Sequence, residues 1–295
     1  KRLRKQGYRL AHVFFNDASL ICPPVFRASG IQTLISRRDM GYWYTPTLIR
    51  LLQFTRKWVA GVVVNSQAVG EVTMATERYQ PEQMHVIYNG YDASTEDNPE
   101  PVPELQALAS RGPVALLVAN IRPIKRIIDA VAAVAELKEQ GHDLSLAIIG
   151  GGDAESLQQL TSFLGIDDRV LFLGSRADVA SCLAYGTVGL SCSESEGYSN
   201  AVVEYMQAGL PVVASDVGGN REAVVEDKTG WRYPAGDVEA LTDRLGNLLA
   251  DGERAKAMGQ AGKELARQRH DLQAMVQAHA SLYRRLIGRD EKASV

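Results

Sequence analysis

The stretch from Ser191 to Asp216, SCSESEGYSNAVVEYMQAGLPVVASD, constrains the fold of this chain most strongly. A short apolar run precedes this stretch. The stretch itself contains a polar loop and then, at 201–208, a segment with helical spacing. Gly209 stands where a helix C-cap is expected, and residues 211–214 have the pattern of a buried parallel strand. The order strand, loop, helix, strand is the unit from which parallel α/β sheets are built.

Two glutamates bracket the start of that helix. Glu196 lies in the preceding loop and Glu204 lies one turn inside the helix, and Ser199 or Asn200 can cap it. Unpaired backbone N–H groups and the positive end of the helix dipole lie between the two carboxylates. Such a place suits an anionic or polyhydroxylated ligand.

The same alternation of strands and helices predicts an α/β chain with two Rossmann-like domains. Residues 1–92 hold few strand candidates and predict a partial N-terminal domain, while residues 93–112 have the Pro- and acid-rich composition of a linker. Residues 113–271 predict a complete doubly wound domain, with ligands at the carboxyl ends of its strands. A last helix, 272–295, is expected to return to the N-terminal domain.

Several loops at that strand edge carry chemistry. The segment Asn120 to Arg126 presents Arg122, Lys125 and Arg126 at a helix N-terminus, which is unfavourable for the helix dipole unless an anion binds there. A diphosphate would fit, and solvated surface cations are the alternative. Glycines at the other strand ends allow close approach of a ligand to the backbone. Those singled out are Gly151 and Gly174, with two more at 218–219.

Charge is spread unevenly. Residues 1–60 carry a net charge of +9, whereas the whole chain carries −3. This predicts either an anionic partner, such as a membrane surface or a phosphorylated acceptor, or a solvated basic face. No nucleic-acid motif is present, the three cysteines lack metal-binding spacing, and no apolar run is long enough to cross a membrane.

The order of these motifs resembles retaining glycosyltransferases of family 4, which have the GT-B fold. The resemblance rests on the cationic loop with Lys125, GGGD, FLG, SESEGYSNAVVEYMQAGLPVVASDVGGNREAV and TGWRYPAGD. It covers residues 113–290 and extends back through VVVNSQAV and VIYNGYD. Because the family's first strand and Gly-rich loop have no counterpart, we expect the chain to begin partway through the N-terminal domain.

The resemblance implies two domains that face each other across a cleft, with the donor nucleotide sugar held mainly by the C-terminal one. Glu204 would bind the ribose hydroxyls, and Glu196 would face the donor sugar. Lys125 would bind phosphate. Asn120 stands where the family usually has an arginine, so either Arg122 replaces that arginine or the cationic clamp is weaker. The remaining donor-side residues are Gly151, Gly174, Gly197, Tyr198, Ser199 and Asn200, the last four through backbone N–H groups.

The implied reaction is transfer of a sugar from a nucleotide diphosphate, UDP- or GDP-linked, to an acceptor hydroxyl with retention of configuration. Glu196, Lys125 and Arg122 are the predicted catalytic residues. No Asp-x-Asp pair is present, so we expect no metal, and no cofactor besides the donor substrate. Cations and the helix dipole would stabilise the leaving diphosphate.

The acceptor side is less well defined by the sequence. Asp17, Arg38 and Asp39 are candidates to supply polar groups, and a surface turn with an Arg–Asp pair is the alternative. His12 is expected to pack inside its strand. The aromatic run at 42–44 either packs, stacks on a sugar or touches lipid.

We therefore expect an enzyme that glycosylates a cell-envelope polysaccharide, a lipid-linked acceptor or a similar acceptor, in the cytoplasm and at the inner face of the membrane. A non-catalytic nucleotide-sugar-binding module is one alternative. Another enzyme of the same fold, such as a nucleotide-sugar epimerase or a phosphorylase, is a second.

Overall fold

The computed structural model describes residues 2–91 and 100–292 and contains two parallel β-sheets. The chain divides into two compact units, one formed by residues 1–91 with 270–295 and the other by residues 92–269. Both sheets are covered by helices, as the alternating sequence pattern predicts. The α/β class with two Rossmann-like domains is confirmed.

The first unit contains a four-stranded sheet in the order β1-β2-β3-β4, with all pairs parallel. One face packs against α2 and its neighbours through Val13, Ile35 and Val62, and the other packs against α13 through Leu282 and Leu286. The elements are β1 (Leu10–Val13), β2 (Gln32–Arg37), β3 (Gly61–Val64), β4 (Met84–Val86), α1 (Arg2–Lys5), α2 (Asn16–Ala28), α3 (Pro46–Thr55), α4 (Gln67–Glu77) and α13 (Leu272–Lys292).

The second unit contains six parallel strands among the residues described, in the order β10-β9-β8-β5-β6-β7. The chain reverses its direction across the sheet between β5 and β8, which is where α/β sheets bind ligands. The strands are β5 (Val114–Val118), β6 (Ser145–Ile149), β7 (Val170–Gly174), β8 (Val188–Ser191), β9 (Val212–Ser215) and β10 (Gly230–Tyr233). The helices are α5 (Pro103–Ala109), α6 (Ile127–Glu139), α7 (Glu155–Phe163), α8 (Val179–Leu183), α9 (Asn200–Gln207), α10 (Asn220–Ala223), α11 (Val238–Ala250) and α12 (Gly252–Arg269).

The stretch predicted as a linker is helical in part. Residues 103–109 form α5, which begins with Pro103 and buries Leu105 and Leu108. The composition of 93–112 is that of a loop, but proline is favourable in a first helical turn, and two leucines three residues apart share a buried face. Residues 92–99 of the predicted linker lie outside the described residues.

Candidate active site

The loops that follow the strands of the second sheet meet at one edge, because all six strands are parallel. Backbone hydrogen bonds connect them in pairs. The N–H of Glu194, after β8, donates to the carbonyl of Ile124, after β5, at 2.9 Å. The N–H of Gly219, after β9, donates to the carbonyl of Glu196 at 3.1 Å. The loops therefore form one connected surface at the switch point between β5 and β8.

Glu196 is the centre of that surface. Its Oε1 accepts hydrogen bonds from Lys125 Nζ and, at 2.7 Å, from Ser193 Oγ. The side chains of Lys125 and Glu196 are 26% and 12% exposed, so the pair is largely shielded but still reachable by a ligand. The structure thus brings together two residues that lie 71 positions apart and that the sequence assigned to one site.

The cationic loop differs from expectation. The sequence presented three cations that an anion would have to neutralise, but Arg126 forms two hydrogen bonds with the buried carboxylate of Asp129, at 2.7 and 3.0 Å. Lys125 is paired with Glu196. Arg122 is exposed and forms no ion pair with the described part of the chain, so it is the cation of this loop that remains available to a ligand.

The helix that follows Glu196 and contains Glu204 begins as predicted. Ser199 is its N-cap, and its Oγ accepts a hydrogen bond from the N–H of Val202 at 3.4 Å. Gly197, Tyr198 and Ser199 are buried, whereas Asn200 is exposed. Since the Tyr198 side chain is buried against Gly219, that residue can offer a ligand its backbone but little of its ring.

Glu204 has surroundings unlike those of Glu196. Its side chain is half-buried on α9, and its carboxylate forms no hydrogen bond or ion pair with the described residues. Burial raises the pKa of its carboxyl above the ordinary value of 4.5. A carboxylate that is partly desolvated and unpaired is suited to accept hydrogen bonds from ligand hydroxyl groups.

The glycine loop after β6 has two kinds of glycine. A Cβ on Gly150 would lie 2.0 Å from the Ala119 carbonyl oxygen, so this glycine is required by close backbone packing. A Cβ on Gly151 would meet nothing nearer than 3.5 Å, and its N–H donates to Asn120 Oδ1 at 3.2 Å. Asn120 therefore holds the glycine loop in place. Gly174 is the last residue of β7 and has a φ of +65°, which allows the chain to turn there.

Sequence analysis missed a polar network beneath Glu196. Ser215 Oγ donates to the carbonyl of Ser193 at 2.6 Å, and Asn220 Nδ2 donates to the carbonyl of Ser215 at 3.1 Å. All three residues are buried. The spacing of Ser193 and Glu196 could be read from the sequence. A contact between the ends of β8 and β9, however, can be predicted only when the order of the strands in the sheet is known.

A pocket of about 440 Å³ lies farther along the same edge, beyond β9 and β10. Asp216 and Glu226 pair with Arg232 across it, with Asp216 Oδ1 3.1 Å from Arg232 Nη1. Sequence analysis did not single out this pocket. Its charged groups are already paired with each other, so it offers less to an anionic ligand than the switch point does. Its lining residues are Asp216, Arg221, Glu226, Arg232, Tyr233, Pro234 and Ala235.

In the first unit, the candidate acceptor residues Asp17, Arg38 and Asp39 line a single pocket of about 350 Å³ at the ends of β1 and β2. Arg37 also lines this pocket, and its guanidinium is held by the buried carboxylate of Glu77. The predicted alternative was a surface turn with an Arg–Asp pair, but the two neighbouring charged residues have other partners. Arg38 donates to Asn89 at 2.7 Å, and Asp39 accepts from the Gly41 N–H at 2.8 Å.

His12 lies inside β1, as expected, and contacts Ser36 Oγ at 2.9 Å and Tyr283 OH at 2.8 Å. Burial, together with the positive potentials of His279 and Arg38, lowers its pKa to about 4. His12 is therefore neutral near pH 7. In the aromatic run, Tyr44 packs and hydrogen-bonds Asn16, whereas Trp43 and its neighbour at 42 are exposed.

Among the described residues, no group of three or more His, Cys, Asp or Glu side chains is arranged to hold a metal ion. No helix in this part of the chain is both long and apolar enough to cross a membrane.

Several known proteins are similar to this chain in sequence. The chain is 32% identical over 176 residues to the N-acetyl-alpha-D-glucosaminyl L-malate synthase of Bacillus anthracis, covering 59% of this chain and 46% of that one. It is 36% identical over 168 residues to a GDP-mannose-dependent alpha-(1-6)-phosphatidylinositol monomannoside mannosyltransferase of Mycolicibacterium smegmatis, covering 52% and 43%. The matched segments thus span less than half of each relative's length.

The structure resembles that of Anabaena HepE in complex with UDP, with a TM-score of 0.86, 22% sequence identity, and coverage of 94% of this chain and 79% of that one. This likeness shows the GT-B fold. The profile of the family described as "Glycosyl transferases group 1" matches residues 103–265, which is more than half of the chain and includes every loop of the candidate active site. The chain belongs to the glycosyl transferases group 1 family.

Proposed function

We propose that this chain is the catalytic part of a retaining glycosyltransferase that uses a nucleotide diphosphate sugar. One observation carries the proposal. Lys125 and Glu196, from the loops after β5 and β8, meet at the switch point of a complete doubly wound sheet, beside the capped N-terminus of α9. Donors of this class need a cation and helix dipole for phosphate and a carboxylate for hydroxyl groups, and this place supplies all three.

In this proposal the diphosphate binds near Lys125, Arg122 and the backbone of residues 197–200. The Lys125 ammonium would share its charge between Glu196 and the phosphate, because Nζ has three donors. Charge that develops on the leaving diphosphate would be stabilised by groups already in position. In other enzymes a divalent metal ion stabilises such charge on a leaving group. Glu196 would accept from hydroxyls of the donor sugar, and Glu204 from the ribose.

In this proposal the nucleotide of the donor is UDP or GDP. One relative is named as GDP-mannose-dependent, and one structural neighbour was solved with UDP. We infer that the acceptor presents a hydroxyl group and is lipid-linked or part of a cell-envelope polymer, bound beside Asp17, Arg38 and Asp39. The named phosphatidylinositol monomannoside acceptor of one relative and the basic first 60 residues support a site of action at the inner membrane face.

A thermal-shift screen with UDP, GDP and ADP tests the donor site. A nucleotide that binds the folded chain raises its stability by about 2.7 kcal/mol when its concentration is 100-fold above Kd. We expect UDP or GDP to raise the melting temperature and to do so more than ADP. No shift with any of the three would contradict the proposal. A nucleotide that binds, but whose sugar derivative is neither transferred nor hydrolysed, would favour the non-catalytic alternative.

The variant Gly151→Ala locates the binding in the same screen. Its new Cβ meets no atom nearer than 3.5 Å, so the melting temperature without nucleotide should stay within the error of the wild type. If a ligand approaches the Gly151 backbone, the methyl group should weaken nucleotide binding by about tenfold, or ~1.4 kcal/mol. An unchanged nucleotide response would show that the ligand does not reach this loop.

A further inference from the structure

The backbone of Arg126 has a conformation that its side chain disfavours. Its φ and ψ are +46° and +41°, which lie in the left-handed region. Among the described residues, two other non-glycine residues have a positive φ. Arg78 ends α4, where a left-handed residue is common, and Asp227 belongs to a residue type that tolerates this region. Neither reason applies to Arg126, which precedes the first turn of α6.

The left-handed conformation of Arg126 joins two turns of the chain. Residues 123–125 form a short 3₁₀ turn, and α6 begins at Ile127. The Arg126 N–H donates to the carbonyl of Pro123 at 3.0 Å, and the Arg126 carbonyl accepts from the N–H of Asp129 at 2.9 Å. Because a Cβ makes this conformation unfavourable and glycine adopts it freely, other contacts must hold Arg126 in place.

The side chain of Arg126 supplies those contacts. Its Nε and Nη2 donate to the two carboxylate oxygens of Asp129 at 2.7 and 3.0 Å. The Asp129 side chain is 3% exposed, so loss of this partner would leave its charge buried without compensation. The guanidinium also lies against the loop after β10, since a Cβ on Gly236 would be 2.9 Å from Arg126 Nη2. Contacts with α6 and with this loop therefore hold Arg126.

Lys125 lies directly before this residue. The residue on its other side, Ile124, is joined to the loop after β8, because its carbonyl accepts from the Glu194 N–H at 2.9 Å. From a backbone held at both neighbours, Lys125 Nζ reaches Glu196 Oε1. A lysine side chain is a flexible stem, so the position of its ammonium depends on how firmly the backbone beside it is held.

We propose that Arg126 is a positioning residue for sugar transfer, which acts by holding the backbone next to Lys125 in the left-handed conformation. The Lys125 ammonium is thereby kept at Glu196. This inference rests on the proposed function for the role of Lys125. The guanidinium of Arg126 is already paired with Asp129, so Arg126 acts without contact with the donor. Because a misplacement of about 1 Å at the reacting centre lowers a rate by up to about 100-fold, the effect belongs to kcat.

Two double variants test this proposal. Both carry Asp129→Asn, which keeps the shape of this side chain and leaves no buried charge without a partner. Arg126→Ala/Asp129→Asn keeps a Cβ at position 126 and should lower kcat by about 10- to 100-fold. Its Kd for the nucleotide that the thermal-shift screen selects should change by less than about threefold. Arg126→Gly/Asp129→Asn should stay within about threefold of the wild-type kcat, because glycine adopts the left-handed conformation unaided.

The same variants are also measured with Lys125→Ala. If Arg126 acts through Lys125, Arg126→Ala/Asp129→Asn lowers kcat no further once the lysine is absent, whereas independent effects would multiply. A crystal structure of Arg126→Ala/Asp129→Asn gives a readout that needs no turnover. We expect Lys125 Nζ to lie beyond hydrogen-bond reach of Glu196 in that variant.

A matched control is the ion pair of Asp227 and Arg254. Asp227 also has a left-handed backbone, with a φ of +60°, and its Oδ1 lies 2.8 Å from Arg254 Nη2. It precedes β10, at the end of the strand opposite to the candidate active site. Asp227→Ala/Arg254→Gln should lower the melting temperature and leave kcat unchanged. Turnover of every variant is measured well below its melting temperature, so that unfolding does not count as lost activity.

Arg126→Lys replaces the alanine variant if that variant does not fold. It leaves Asp129 a cation but removes the planar contact with two hydrogen bonds, so it should lower kcat by at least about threefold. Wild-type kcat in the folded variant of the two would overturn the inference.

Three other results would also overturn it. The glycine variant could be no more active than the alanine variant, the loss could be equally large with and without Lys125, or the crystal structure could retain the contact between Lys125 and Glu196. A wild-type chain that transfers no sugar would contradict the proposed function instead, and the crystal structure would still show whether Arg126 holds Lys125 in place.

Discussion

Replacing Lys125 by alanine is expected to lower the turnover number of sugar transfer by about 100- to 1000-fold. The reason is electrostatic: a positioned cation that stabilises charge developing in the transition state contributes about 2.7–4 kcal/mol. The structure places Lys125 Nζ against Glu196 in the resting chain, so the ammonium is held in position before any donor arrives. The loss should appear mainly in kcat, since the charge on the leaving group grows during the reaction.

The measurement is release of nucleoside diphosphate from the sugar nucleotide that the thermal-shift screen selects. Two further variants separate charge from structure. Lys125→Arg keeps the cation and should retain more activity than Lys125→Ala. Lys138→Ala alters an exposed lysine near the end of α6, away from the cationic loop, and should behave as the wild type. Wild-type turnover in Lys125→Ala would refute the role of this lysine.

Replacing Glu204 by alanine is expected to weaken nucleoside diphosphate binding by about 10- to 100-fold. Hydrogen bonds to a charged group contribute about 1.5–3 kcal/mol, and Glu204 would accept such bonds from the two ribose hydroxyls. Calorimetric titration gives the dissociation constants. The matched control is Glu139→Gln, which alters an exposed glutamate on α6 and should leave the affinity unchanged. Unchanged affinity in Glu204→Ala would remove this residue from the donor site.

Glu204 also allows a test in the free chain. Burial raises its pKa, so ionised Glu204 is less favourable in the folded state than in the unfolded state. This penalty is present at pH values above the raised pKa and disappears as the pH falls below the ordinary value of 4.5. Glu204→Gln should therefore raise the melting temperature at pH 7.5 and lose that advantage near pH 4, while binding nucleotide less tightly. A variant that is less stable than the wild type at pH 7.5 would contradict the assigned surroundings.

The opposite effects of that substitution on stability and on binding are typical of a functional group. A half-buried carboxylate without a partner is costly to keep in a folded protein, and a nearby cation would remove the cost. Glu196 has such a cation in Lys125, whereas Glu204 has none among the residues that the structure describes. The difference is consistent with the separate roles proposed for the two carboxylates.

Much of the second unit could be predicted from sequence, because strand and helix periodicity is a local property. Ser199, one of the two residues predicted to cap α9, is its N-cap, and Gly209 follows its last turn with a positive φ, as expected of a C-cap glycine. Local sequence rules were less reliable where packing against the rest of the unit determines whether a helix continues. Pro23 and Pro24 would be expected to end a helix, yet α2 continues through them while its inner side packs on the sheet.

Contacts between distant residues could not be predicted from the same rules. The pairing of Lys125 with Glu196 and the hydrogen bond between Ser215 and Ser193 follow from the order of β5, β8 and β9 in the sheet. Asp129 neutralises Arg126 because the two residues are three positions apart, and one helical turn brings side chains at this spacing together. Charge counts thus overstated the number of cations available to a ligand.

A crystal structure of the chain with the bound nucleoside diphosphate tests the central claim most directly. We predict phosphate oxygens within hydrogen-bond reach of Lys125 Nζ and of the backbone at residues 197–200, and ribose hydroxyls on the carboxylate of Glu204. The contrary result is a nucleotide bound elsewhere, for example in the pocket beside Asp216 and Arg232, with the switch point between β5 and β8 left empty. That result would contradict the assignment of the donor site.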